Sequence, residues 1–216
     1  MNILLVAATQ AEIEPFLSSH GITELPTSKK QIGQHSVDIM LGGIGMVSTA
    51  FKLSTSFNEN NFDLAINVGI AGSFDSALLP GDLCRIKEDI LAEFGAEDGD
   101  NFLRADQIGL GKNTFFADEF TDFPIYNQLP EVKAITVNKV HGNEKSIAQT
   151  IIQYQPQIET MEGAAFFFAC QQCHVTGIQI RAISNKIERR NRDSWEIGLA
   201  IKNLNNMLIQ ILTHET

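Results

Sequence analysis

Two carboxylates and one amide stand at the ends of apolar runs in this sequence, where a side chain is both sheltered and reachable. They are Glu12, just past Asn2-Ile3-Leu4-Leu5-Val6-Ala7-Ala8; Glu162, in Thr160-Met161-Glu162-Gly163-Ala164-Ala165; and Asn185, closing Gln179-Ile180-Arg181-Ala182-Ile183-Ser184. Polar groups at the ends of adjacent buried strands are where open α/β sheets build their sites. A carboxylate so placed can draw a proton from an attacking water or accept hydrogen bonds from hydroxyls. Each acid also has a plainer explanation, as a helix-start residue favoured by the dipole. For Glu12 the two explanations weigh equally on the residues alone. For Glu162 the apolar neighbours Met161 and Ala164–Ala169 would penalise an unpaired charge, which weakens the plain one. Asn185 offers a donor and an acceptor but no proton to give up, unless it merely caps a loop.

Other reactive side chains carry less. Cys84, Cys170 and Cys173 are too few, and odd in number, for a disulfide framework. Cys170 and Cys173 form a Cys-x-x-Cys, but after Phe166-Phe167-Phe168-Ala169 they fall deep in a helix, not at its opening, and read as core thiols. No second ligand pair completes a zinc site, and His20, His35, His141, His174 and His214 lack ligand spacing, so no metal is expected. Neither glycine-rich turn ends in Gly-Lys-Ser/Thr, and no Gly-x-Gly-x-x-Gly follows the first strand, so no nucleotide cofactor is expected. A formal net charge of −10 excludes nucleic acid and acidic membrane as partners of the whole surface. Small anions remain possible because they answer to local charge. Arg189, Arg190 and Arg192 concentrate such charge directly after Asn185, or else form a solvated loop paired to Glu188, Asp193 and Glu196.

The elements that must position these groups alternate. Strands are expected at Asn2–Ala7, Lys30–Gly33, Ser36–Leu41, Asp63–Val68, Leu83–Lys87, Lys133–Asn138, Gln157–Met161 and Thr176–Ser184. Helices are expected over 10–19, 46–58, 144–155, from Glu162, and over 194–212. Gly69-Ile70-Ala71-Gly72-Ser73 reads as a small-residue turn, and 88–130 as an irregular, loop-rich stretch. The order predicts one domain over residues 1–216, a three-layer α/β/α sandwich whose sheet is mixed because of the early hairpin. The N-terminus has no basic leader and no run reaches membrane-span length, so a cytoplasmic protein is expected.

Four pieces recur in a known order: Ala7-Ala8-Thr9-Gln10-Ala11-Glu12, Asn67-Val68-Gly69-Ile70-Ala71-Gly72, Thr160-Met161-Glu162-Gly163-Ala164-Ala165 and Arg181-Ala182-Ile183-Ser184-Asn185. Together they resemble the purine nucleoside phosphorylase and nucleosidase superfamily over nearly the whole chain. Within it, Phe94-Gly95-Ala96-Glu97 and the run from Ser184 to Asp193 are similar to the futalosine hydrolase family, which cleaves the N-glycosidic bond of a hypoxanthine nucleoside in an alternative menaquinone pathway.

The resemblance implies roles. Glu12 matches the general base for water, Glu162 the carboxylate that holds the ribose hydroxyls, and Met161 the residue packed on the sugar. Asn185 stands where adenine-specific members carry Asp, and its amide suits a 6-oxopurine. Ala71 and Gly72 fall in the substrate-binding set, as do His141, Gly142 and Asn143 from a segment that lines the base pocket in relatives. Arg189 is a candidate for the acidic group on futalosine's sugar side. Arg181 pairs with Glu12 or Glu162 beneath the site, or is structural. Phosphorylases carry Arg and Ser where this chain has Asn67 and Ile70, so water is expected over phosphate as nucleophile. The implied partner is a small-molecule nucleoside, with no cofactor, and the assembly a homo-oligomer. Two alternatives remain open, a methylthioadenosine/S-adenosylhomocysteine-type nucleosidase and a nucleoside-binding protein without catalysis.

Overall fold

The computed structural model describes residues 1–99 and 101–213; His214 and the end of the expected domain lie outside them. In chain order the elements are β1 (Asn2–Ala7), α1 (Gln10–Ser19), β2 (Thr27–Ile32), β3 (His35–Leu41), α2 (Met46–Glu59), β4 (Leu64–Ser73) and β5 (Leu83–Leu91). Then follow β6 (Gly95–Asp98), β7 (Asn101–Arg104), β8 (Thr114–Phe116), the short α3 (Pro124–Asn127), β9 (Glu131–Thr136) and α4 (Glu144–Tyr154). The chain closes with β10 (Ile158–Thr160), α5 (Gly163–Cys173), β11 (Gly177–Lys186) and α6 (Ile197–Thr213).

β1 shows why an unbroken apolar run makes a strand here. It pairs in parallel with β3 on one side and β4 on the other, so both of its edges are satisfied, and helices cover both of its faces. Ile3 and Leu5 face Ile13, Phe16 and Leu17 of α1 and Leu204 and Leu208 of α6. Leu4 and Val6 face Leu53 of α2 and Phe166 of α5. The twofold alternation of a strand thus feeds two cores, one under each helical layer.

The sheet runs β10-β9-β5-β11-β4-β1-β3-β2, with β8 on β5, and is mixed as expected. One pairing goes beyond that expectation. β10 also pairs antiparallel with the end of β4, so β4, β11, β5, β9 and β10 close on themselves. That closure corrects the turn expected at 69–73. These small residues continue β4 in register with Arg181, Ala182 and Ile183 of β11, while Gly72 and Ser73 also pair with β10. The stretch 88–130 is also more ordered than expected: β5 extends to Leu91, and the hairpin β6–β7 and strand β8 follow. Among the described residues no helix is long and apolar enough to cross a membrane.

Candidate active site

Glu12 sits in the first turn of α1, and its two oxygens do different things. Oε2 accepts from the Thr9 backbone N–H at 2.9 Å and from Thr9 Oγ1 at 3.1 Å, which completes a capping box. Oε1 leaves the helix and accepts from the Ile70 N–H of β4 at 3.2 Å. Gly69 makes that reach possible, since a Cβ there would lie 2.7 Å from Glu12 Oε1 and 3.1 Å from Arg181 Nη1. The glycine marks not a turn but the spot where a carboxylate and a guanidinium converge on one strand.

Arg181 is a buried cation, only 2% exposed. Its Nη2 donates to Gln179 Oε1 at 3.0 Å and its Nη1 to Asn67 Oδ1 at 3.4 Å, while Nε has no partner among the described residues. Among the described residues it makes no ion pair within 4 Å. Glu162 caps α5, and its Oε1 accepts from the Gly45 N–H at 2.9 Å. Gly45 itself is in the left-handed region, φ 90°, where the chain turns from β3 into α2. Burial pushes the Glu162 carboxyl above its usual range. Arg181 and the Gly45 N–H pull it back, and the charge of Glu12 pushes it up further.

Asn185 reaches the same strand ends by a bulge. The β11–β4 register shifts between Ile183 and Asn185, so Ile183 pairs with Ala71 and Asn185 with Gly72, leaving Ser184 as the extra residue. Ser184 Oγ lies 2.8 Å from Asn185 Oδ1, to which it donates, and Asn185 Nδ2 donates to Lys186 O at 2.9 Å. A Cβ on Gly72 would lie 3.3 Å from Asn185 Nδ2. Strand β4 therefore acts as a ruler. Glu12 and Arg181 meet it at Gly69–Ile70 and Asn185 meets it at Gly72, about 7 to 10 Å along at the usual strand rise. Met161 is half-buried beside Glu162, and Ala71 is buried between the two ends of the ruler.

The other expected site residues are held differently. His141 Nδ1 lies 2.6 Å from the buried Glu159 Oε2, and its Nε2 lies 2.8 Å from Thr150 Oγ1, so both ring nitrogens are engaged. Asn143 spends its side-chain oxygen capping α4, on the Lys145 and Ser146 N–H groups. Gly142 abuts the arginine loop through a bond from Arg190 N to Gly142 O. Arg189, Arg190 and Arg192 are exposed and form no ion pairs among the described residues, so the expected pairing with Glu188, Asp193 and Glu196 does not form. Arg190 and Arg192 instead stack on Trp195, at 5.3 and 5.8 Å from its ring centre.

Four contributors were not picked out as site residues in the sequence. Gly45 and Gly69 give room and an N–H; Asn67 and Gln179 hold Arg181. A cavity of about 650 Å³ elsewhere, between α2 and β2–β3, contains none of these residues. No group of three or more His, Cys, Asp or Glu among the described residues could hold a metal ion.

The sequence profile described as the phosphorylase superfamily matches residues 2–214. The futalosine hydrolase of Thermus thermophilus is 25% identical over 179 residues, 80% of each chain. The solved futalosine hydrolase of Helicobacter pylori superposes with a TM-score of 0.83 at 16% identity, over 98% of this chain and 97% of that one. A solved S-adenosylhomocysteine nucleosidase from Streptococcus pyogenes, in complex with 5-methylthiotubericidin, gives 0.80 at 19%, over 99% and 96%. At such identities the two solved structures show a shared fold.

Proposed function

The chain belongs to the phosphorylase superfamily, and from that premise we propose that it is a nucleosidase acting on futalosine. It hydrolyses the N-glycosidic bond to release hypoxanthine and dehypoxanthine futalosine, a step of the futalosine route to menaquinone. The observation that carries this reading is the spacing on β4, with Glu12 over Gly69–Ile70 and Asn185 at Gly72, alongside Glu162 at the head of α5.

The roles implied by the resemblance fit that spacing. Cleavage of a ribosyl–base bond builds positive charge on the sugar. Glu162 accepts hydrogen bonds from the ribose hydroxyls and offsets that charge, and Met161 packs on the ring. Glu12 takes the proton from the attacking water. Asn185 donates to N7 or O6 of the departing hypoxanthine and accepts from a ring N–H. It steadies the leaving group without transferring a proton. Ala71, Gly72 and the backbone of His141-Gly142-Asn143 border the base, and Arg189 faces the acidic end of the substrate.

Water is favoured over phosphate because Asn67 spends its amide oxygen on Arg181 and Ile70 offers no hydroxyl. An acid at position 185 would suit adenine, so the amide speaks against a thioether-adenosine nucleosidase. Retention of both Glu12 and Glu162 speaks against a non-catalytic binder. Ile44, Val47 and Phe51, exposed in and just before α2, support a homo-oligomer, and we place it in the cytoplasm. Hydrolysis in 18O-enriched water tests the reaction class. The label should enter the sugar product and be absent from hypoxanthine, and label in the base would refute it.

A further inference from the structure

Asp89 on β5 is wholly buried, makes no ion pair among the described residues, and belongs to none of the motifs above. Its two oxygens face the two halves of the site from beneath. Oδ1 accepts from Thr136 Oγ1 at 2.7 Å, and the same hydroxyl oxygen accepts from the Ala164 N–H at 2.8 Å, in the first turn of α5. Oδ2 lies 3.5 Å from Gln179 Nε2, and Gln179 in turn donates to Gly163 O at 3.0 Å and accepts from Arg181 Nη2 at 3.0 Å. Gly163 is a glycine for a definite reason, because a Cβ there would collide with Asp89 Oδ2. One carboxylate is thus wedged under the N-terminus of the helix whose cap is Glu162, and is linked through one amide to Arg181.

We propose that Asp89 is a positioning residue: through Thr136 it fixes the helix start that carries Glu162, and through Gln179 it fixes the guanidinium that shares Gly69 with Glu12. The role deepens the nucleosidase reading and rests on it. The ionised carboxylate presents an acceptor oxygen to each of Thr136 and Gln179, whereas protonation puts an O–H on one of those oxygens, so the ionised form is the one that holds the site. An amide in its place would turn an NH2 toward one of these two donors.

The surroundings make this ionisation a neutral-pH event. Burial pushes the Asp89 carboxyl up to about 7, against the pull of Thr136, Arg181 and Gln179, and the charge of Glu162 adds to the rise. The charged groups bearing on it are Arg181 from β11 and Glu162 at the head of α5. From β8 and β9 its neighbours are the uncharged Phe115 and Thr136, with Thr160 beyond on β10.

The test is the pH dependence of futalosine hydrolysis by wild type, Asp89→Asn and Gln179→Met. Wild type should gain kcat as pH rises through 7. Asp89→Asn should lose that limb and run about 10- to 100-fold slower at pH 8, as expected for a small misplacement of catalytic groups, with KM nearly unchanged. Gln179→Met removes the link to Arg181 and the bond to Gly163 O but leaves the Thr136 arm intact, so it should lose less kcat and move the limb upward. It carries the test if Asp89→Asn does not fold. Wild-type kcat with an unmoved limb in either folded variant would overturn the positioning role alone. A wild-type protein that releases no base would instead overturn the function on which that role rests.

Discussion

The carboxylate end of the site and the arginine loop beside it are built in opposite ways. Glu12, Glu162 and Arg181 come from strand ends and first helical turns, and each carboxylate is pinned by a backbone N–H of another segment. Arg189, Arg190 and Arg192 stand exposed on a loop, with Trp195 as the platform for two of them. A proton transfer tolerates little misplacement, so the groups proposed to carry it are set at first helical turns pinned to neighbouring backbone. A distant anion can be met by mobile cations, whose contribution is smaller and more readily screened. The contrast implies that rate resides in the strand ends and substrate choice in the loop.

The hardest blow to that contrast is Glu12→Gln. Loss of a general base is expected to lower kcat by about 10² to 10⁴-fold, equally for futalosine and inosine. A variant that discriminated between them would erase the distinction between the regions. Gly69→Ala comes next. Its Cβ would press on both Glu12 Oε1 and Arg181 Nη1, so about a 10²-fold loss of kcat is expected, with about 1 to 3 kcal/mol of lost stability from overpacking, read by denaturant titration. The buried floor should also show a stability trade. Asp89 titrates near 7 in the folded protein, above its usual 3.8. Folding therefore loses stability as pH rises from about 3.8 to 7, on the order of a few kcal/mol, and levels off beyond. The Tm of Asp89→Asn relative to wild type should accordingly climb between pH 4 and pH 8 while activity falls. The smallest effect is Arg189→Gln, where KM for futalosine should rise roughly fivefold or less, about 1 kcal/mol, with inosine unaffected.

Much of the strand-end chemistry was legible because it obeys local rules. An apolar run ending in a polar residue marks a buried strand with a cap, and that placed Glu12, Glu162 and Asn185 at strand and helix ends. Gly69 was visible but misread. Glycine signals a turn in sequence, whereas here it clears space for two side chains that arrive from residues 12 and 181. Asp89 was not legible at all. In Lys87-Glu88-Asp89 it looks like one more solvated charge, and it is buried by strands β8 and β9 and the start of α5, all brought from elsewhere in the chain. His141 was expected in the substrate-binding set from its segment, and what the sequence did not show is that Glu159 and Thr150 hold its ring.

The central claim is hydrolysis of a hypoxanthine nucleoside by Glu12 and Glu162 with Asn185 at the base. The most direct test is liquid chromatography of futalosine and methylthioadenosine incubated with the protein, with and without phosphate. The expected result is hypoxanthine from futalosine at a rate indifferent to phosphate. Phosphate-dependent release, or adenine from methylthioadenosine with no hypoxanthine from futalosine, would contradict it.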